Sequence, residues 1–144
     1  MKIYDCFMYF DEDLVLEIRL NTLNKIVDKF VICEATRDHG GNKKSLKFQI
    51  EKFQNFKDKI EHIIVEDIPI NVRKRKRDWH ENHIRDQYQR NAIIRGLKNC
   101  DPKDWIMISD IDEIPDLKMI AEFDTRKKYV CFLQKNFQSK INLL

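Results

Sequence analysis

The stretch Trp105-Ile106-Met107-Ile108-Ser109-Asp110-Ile111-Asp112-Glu113-Ile114-Pro115 decides the fold. Its first four residues are apolar and two are β-branched, which predicts a buried strand, and Pro115 halts regular pairing soon after. The strand delivers carboxylates at its C-terminal end. In an open parallel sheet that is where loops diverge and ligands bind. Asp110 and Asp112, one residue apart on backbone leaving a strand, can face one hard cation that bridges phosphate oxygens and neutralises a departing diphosphate. With Glu113 they place three acids within four residues, and these repel one another unless something positive binds.

Working outward, apolar runs alternate with helical patterns. Ile3 to Phe10 is aromatic and β-prone, and Asp11-Glu12-Asp13 is predicted to cap a following helix. In that helix Leu16, Leu20, Leu23 and Val27 form one stripe, with Glu17, Arg19 and Asn21 away from its centre. Phe30-Val31-Ile32-Cys33 predicts a strand buried on both faces and ending at Glu34-Ala35-Thr36-Arg37. After a turn through residues 38–42, a second helix is predicted with Leu46, Ile50, Phe53 and Ile60 on one face, then a strand from His62 to Val65. A third helix is expected from about Asn82 to Asn99, a weak one from Asp116 to Phe123, and a last strand from Tyr129 to Leu133. This alternation predicts an α/β, Rossmann-like fold with a mostly parallel sheet and helices on both faces.

A chain of 144 residues fits one domain over 1–144. Three Gly and three Pro, against 42% hydrophobic and 35% charged residues, exclude fibrous and low-complexity classes. The formal charge of +3 owes its excess to Arg73-Lys74-Arg75-Lys76-Arg77. That run lacks interleaved aromatics and falls in a predicted loop, so a solvated loop is favoured, with phosphate or acidic-glycan contact next, over nucleic-acid binding. Cys6, Cys33, Cys100 and Cys131 have no paired zinc spacing, and Cys6, Cys33 and Cys131 sit in apolar runs where reduced, buried thiols are expected. With no signal-like start and no apolar stretch approaching about 18 residues, a cytoplasmic location without a membrane span is expected.

Other residues carry two readings each. Asp11 and Asp13 also follow a strand, as the paired aspartates of haloacid-dehalogenase-like phosphatases do, but Leu14-Val15 departs from that pattern and helix capping is favoured. Glu113 can serve as general base for an acceptor hydroxyl, but a place beside the metal or on a solvent-facing turn is favoured. Arg90 can reach a diphosphate or form an ion pair with an acidic neighbour, and Arg37 and His39 share that ambiguity. His39, His62, His80 and His83 show no metal-ligand spacing.

Five blocks, Ile3-Tyr4-Asp5-Cys6-Phe7, Leu16-Glu17-Ile18-Arg19-Leu20, Val31-Ile32-Cys33-Glu34-Ala35-Thr36, Gln89-Arg90-Asn91-Ala92-Ile93 and Ile108 to Pro115, occur in an order that resembles glycosyltransferase family 17. The resemblance implies a nucleotide-diphosphate-sugar transferase fold of GT-A type and inverting transfer of N-acetylglucosamine or a similar sugar. The implied donor is a UDP-sugar, the acceptor a glycan or glycoconjugate, and the cofactor a divalent ion, manganese foremost and magnesium as the other option. By position it sets Glu34, Ala35 and Thr36 near the nucleoside and Asp110 and Asp112 on the metal and diphosphate; beside these, the residues themselves offer Arg37 and Arg90 as candidates for donor binding and Asp112 and Glu113 as candidates for the chemistry. Family members continue well beyond Leu144, so the chain is expected to lack the acceptor portion. A nucleotide-sugar-binding module without turnover is the alternative.

Overall fold

The computed structural model describes residues 1–71, 79–122 and 126–134. The chain, expected as one domain, divides into two compact units, Met1–Asp112 and Glu113–Leu144. In the first, β1 (Ile3–Met8), α1 (Asp13–Leu23), β2 (Lys29–Ala35), β3 (Ile60–Val65), α2 (Trp79–Ala92) and β4 (Trp105–Ile108) follow in sequence. The four strands form a sheet in the order β3-β2-β1-β4, and every pairing is parallel. This is the α/β architecture expected from the alternation.

β1 and β2 lie at the centre and are buried almost throughout, as continuous apolar runs require. Tyr4, Cys6, Val31, Cys33, Ala35 and Val65 face one side and pack with Ala92 and Ile93, at the end of α2 and in the turn that follows it. Asp5, Phe7, Phe30, Ile32 and Glu34 face the other, where α1 buries Leu16, Leu20 and Leu23. Helices therefore cover both faces. The strand order reverses direction at β1, which puts the topological switch point between the carboxyl ends of β1 and β4.

Several expectations are corrected. β4 closes the sheet as an edge strand, so Ile106 and Ile108 remain 41% and 54% exposed instead of buried. The second predicted helix is a 3-10 segment, Ile50–Phe56, with Phe53 outside helical geometry, and Ile60 already belongs to β3. Upstream of it the N–H groups of Lys47 and Phe48 are drawn to the Glu34 carboxylate, which takes them out of any helical ladder. The third helix is α-helical through Ala92 and then tightens into a 3-10 turn, Ile93–Leu97. α1 begins without a side-chain cap, because the Glu12 carboxylate turns back to the N–H groups of Phe10 and Asp11.

The second unit contains α3 (Leu117–Ala121), whose N-cap Asp116 accepts from the Lys118 N–H. Tyr129–Leu133 forms no strand: Tyr129 and Leu133 are 82% and 94% exposed, and β-prone residues without a neighbouring ladder stay irregular. Cys131 is accordingly exposed, whereas Cys6 and Cys33 are buried and burial pushes both thiols up, Cys33 to about 12.

The 3-10 turn approaches β2 closely at Gly96, where a Cβ would stand 2.5 Å from Val31 Cγ1. Val31 is fully buried in a central strand and its branched side chain has little freedom to move. Gly96→Ala is therefore expected to destabilise the chain by about 1–3 kcal/mol, read as a lower urea midpoint with an unchanged slope.

Candidate active site

At the switch point two charged side chains are fully buried against each other. Asp5, in the middle of β1, accepts from Arg19 of α1 in fork-to-fork fashion, Nε to Oδ2 at 2.8 Å and Nη2 to Oδ1 at 2.7 Å, and both residues are 0% exposed. The guanidinium then reaches the end of β4. It donates to the carbonyls of Asp110 at 2.8 Å and Ile111 at 3.0 Å, and to Ser109 Oγ at 2.7 Å. All five of its N–H donors are thus engaged, and its carbon lies 4.6 Å from the centre of the Phe7 ring.

The pinned backbone sorts its side chains. Ile111 is buried, while Asp110 and Asp112 on either side of it are exposed. The positive group that the acids require comes from α2: Arg90 Nη2 lies 2.8 Å from Asp110 Oδ1 and 3.7 Å from Asp86. Asp86 in turn lies 3.9 Å from His39 Nε2, so polar and charged side chains run from the loop after β2 to the loop after β4. Of the two readings of Arg90, the ion pair is present. At 35% and 54% exposure the pair with Asp110 contributes about 0–1 kcal/mol.

The end of β2 is engaged within the fold. Glu34 is fully buried: Lys44 Nζ donates to it at 2.7 Å, the Lys47 and Phe48 N–H groups donate to it, and His62 Nε2 lies 3.4 Å away without hydrogen-bond alignment. Burial pushes the carboxyl up, but its contacts with His62 and Lys44 and the two backbone donors outweigh that and hold it at about 2. Ala35 is buried, Thr36 bonds the Val65 carbonyl, and Arg37 donates to the Gly41 carbonyl. Gly41, at φ +90°, lets the loop lie against Arg85, which also holds the carbonyls of His39, Pro69 and Ile70. Glu34, Ala35 and Thr36 thus brace the loop from within.

Asp13 is occupied by Tyr9 and Lys52, which hold its carboxyl below the usual range, and exposed Asp11 lies 3.8 Å from Lys47. Phe10, just past β1, is an exposed aromatic ring with Lys44 Nζ 5.0 Å from its centre. Glu113 is exposed and opens the second unit. Arg73 to Arg77 lie outside the described residues. Among the described residues no three His, Cys, Asp or Glu side chains converge as a metal group. Two exposed carboxylates nevertheless suit a hard divalent ion, which takes one or two protein carboxylates and completes its shell with phosphate and water.

The family model for glycosyltransferase family 17 matches residues 1–137. The chain belongs to that family. Human and rat β-1,4-mannosyl-glycoprotein 4-β-N-acetylglucosaminyltransferases are each 28% identical to it over 109 residues, 70% of this chain and 19% of the relative. The mouse enzyme of the same name matches to the same extent. The matched stretch is thus about a fifth of the length of these curated relatives. No solved structure matches. No helix among the described residues is long and apolar enough to cross a membrane. Within a family 17 chain, Asp11 and Asp13 read as supports of β1 and α1, not as a phosphatase pair.

The buried contacts of Arg19 and Glu34 each leave a signal in the sequence. Asp5 and Glu34 each interrupt an apolar strand, and a carboxylate in a buried run calls for a buried partner. Because Glu34 is held below its unfolded value of about 4.3, its contribution is fully present above that pH and is lost as pH falls through the folded value of about 2. Urea unfolding between pH 7 and pH 2 should show wild type losing about 2–3 kcal/mol more than Glu34→Gln over that window.

Proposed function

We propose that this family 17 chain forms the donor-binding part of a GT-A type inverting glycosyltransferase that takes N-acetylglucosamine or a similar sugar from a UDP-sugar. The observation that carries the reading is the exposed pair Asp110 and Asp112, flanking buried Ile111 on a pinned loop at the switch point. Asp110 and Asp112 hold a divalent ion, manganese or magnesium, which when bound neutralises charge on the diphosphate as it leaves.

Arg90 exchanges Asp110 for the diphosphate, since a guanidinium fork matches phosphate oxygens better than it matches one exposed carboxylate. Phe10 offers a flat apolar face on which a uracil ring can stack. Glu113 is the candidate base: it takes the proton of the acceptor hydroxyl as that oxygen bonds to the anomeric carbon, the bond to UDP breaks and configuration inverts. The acceptor is a glycan, in keeping with the human and rat relatives, which are named for transfer to a mannosyl-glycoprotein.

A second reading, a donor-binding module without turnover, draws on the matched stretch being 19% of the relatives' length. Both readings require donor binding, so calorimetry addresses their common part. UDP should bind at least tenfold more tightly with manganese than with chelator, about 1.4 kcal/mol, because diphosphate and two carboxylates cannot share a site uncompensated. Equal affinity in the two conditions would remove the carboxylate pair from the donor site. Release of N-acetylglucosamine to a glycan acceptor separates the transferase from the module.

Arg90→Gln tests the exchange. Loss of the Asp110 pair alone leaves stability within about 1 kcal/mol, whereas UDP affinity with manganese should fall at least tenfold. Unchanged affinity would make Arg90 a partner of Asp86 and Asp110 only.

A further inference from the structure

Arg19 is a large charged side chain at 0% exposure, and the chemistry proposed above makes no use of it. Its guanidinium takes both carboxylate oxygens of Asp5 on one side and the carbonyls of Asp110 and Ile111 with Ser109 Oγ on the other. Backbone carbonyls are good ligands for hard cations. At this loop two of them are turned inward onto a fixed positive charge. A cation at the loop is then met by side-chain carboxylates and not by backbone oxygens.

We propose that Arg19, locked by Asp5, is a positioning residue for the donor site: it fixes the backbone of residues 109–111 so that the carboxylates of Asp110 and Asp112 face outward together before ligand arrives. This rests on the donor-site reading for its ligand, but the pinning itself is a property of the empty protein. Arg19 touches neither donor nor acceptor. Its effect is preorganisation, in which the loop's ordering is complete before binding and does not count against affinity.

The test compares the full wild-type chain with Arg19→Lys and with the double variant Asp5→Val/Arg19→Met. Lysine keeps the charge but cannot span Asp5 and three loop oxygens with a rigid fork. The double variant removes both charges together, which proteins tolerate far better than stranding one of them. Three readouts apply: melting temperature, amide hydrogen exchange, and UDP affinity with manganese by calorimetry.

The double variant should melt cooperatively, and amides of residues 109–112 should exchange at least tenfold faster in it while those of β1 and β2 keep their protection. Arg19→Lys should show the same local acceleration to a smaller degree. UDP affinity with manganese should fall at least tenfold in both. A folded double variant with wild-type exchange at 109–112 overturns the proposal, and so does failure of both variants to fold, which would make the pair a scaffold for the whole sheet. If wild type does not bind UDP with manganese, the donor-site reading fails while the exchange comparison still decides the pinning.

Discussion

The buried contact between Asp5 and Arg19 is the constraint that sets β1, α1 and the loop after β4 against one another. Taking a carboxylate and a guanidinium out of water costs several kcal/mol for each ion, and their attraction offsets it only where the remaining donors are satisfied as well. Here Asp5 uses both oxygens on the fork, and the three donors left over go to the loop after β4. Removing one partner would strand the other, at a cost of about 3–5 kcal/mol. The interaction that secures α1 to β1 is thus the one that shapes the proposed site, and the two cannot vary independently.

The same device recurs along the carboxyl edge of the sheet. Glu34 gathers Lys44 and the amides of Lys47 and Phe48, which ties down the segment following the loop after β2. Arg85 collects three carbonyls from His39, Pro69 and Ile70, and Gln89 bonds the Cys33 carbonyl from the same helix. Each is a buried polar side chain satisfied chiefly by backbone, so each fixes a loop that has no ladder of its own. His39, Asp86, Arg90 and Asp110 follow one another from the loop after β2 to the loop after β4, the first three partly buried and Asp110 exposed. Contacts this open to water are worth little each.

The architecture was legible in the sequence because period and continuity are local signals. Phe30-Val31-Ile32-Cys33 could only be a strand covered on both faces, and Leu16, Leu20 and Leu23 do form the buried stripe of α1. Edges and partners were not legible, because they depend on topology. Nothing within Trp105-Ile106-Met107-Ile108 says that it is an edge strand of the sheet among the described residues, and nothing within Tyr129–Leu133 says that it forms no strand. Asp110 and Asp112 stood out because carboxylates after a strand are conspicuous. Arg19 did not, since an arginine off the apolar stripe of an amphipathic helix normally snorkels to water, and its partner lies 14 residues away in a different element. For Arg90 the sequence allows an ion pair or a diphosphate contact because a guanidinium meets either anion in the same way, and the structure shows the ion pair, 2.8 Å from Asp110.

The central claim is that Asp112 faces outward for a ligand and not for the fold. Its side chain is exposed beside a loop that Arg19 holds through backbone oxygens, so the fold does not depend on its charge. The measurement is the melting temperature of wild type and Asp112→Asn, each with and without manganese and UDP. Removing the charge of an exposed carboxylate close in sequence to Asp110 and Glu113 should leave the ligand-free protein as stable as wild type or more so, while the rise produced by manganese and UDP together is largely lost. An Asp112→Asn protein that melts well below wild type without ligand, yet gains as much from manganese and UDP, would contradict the account.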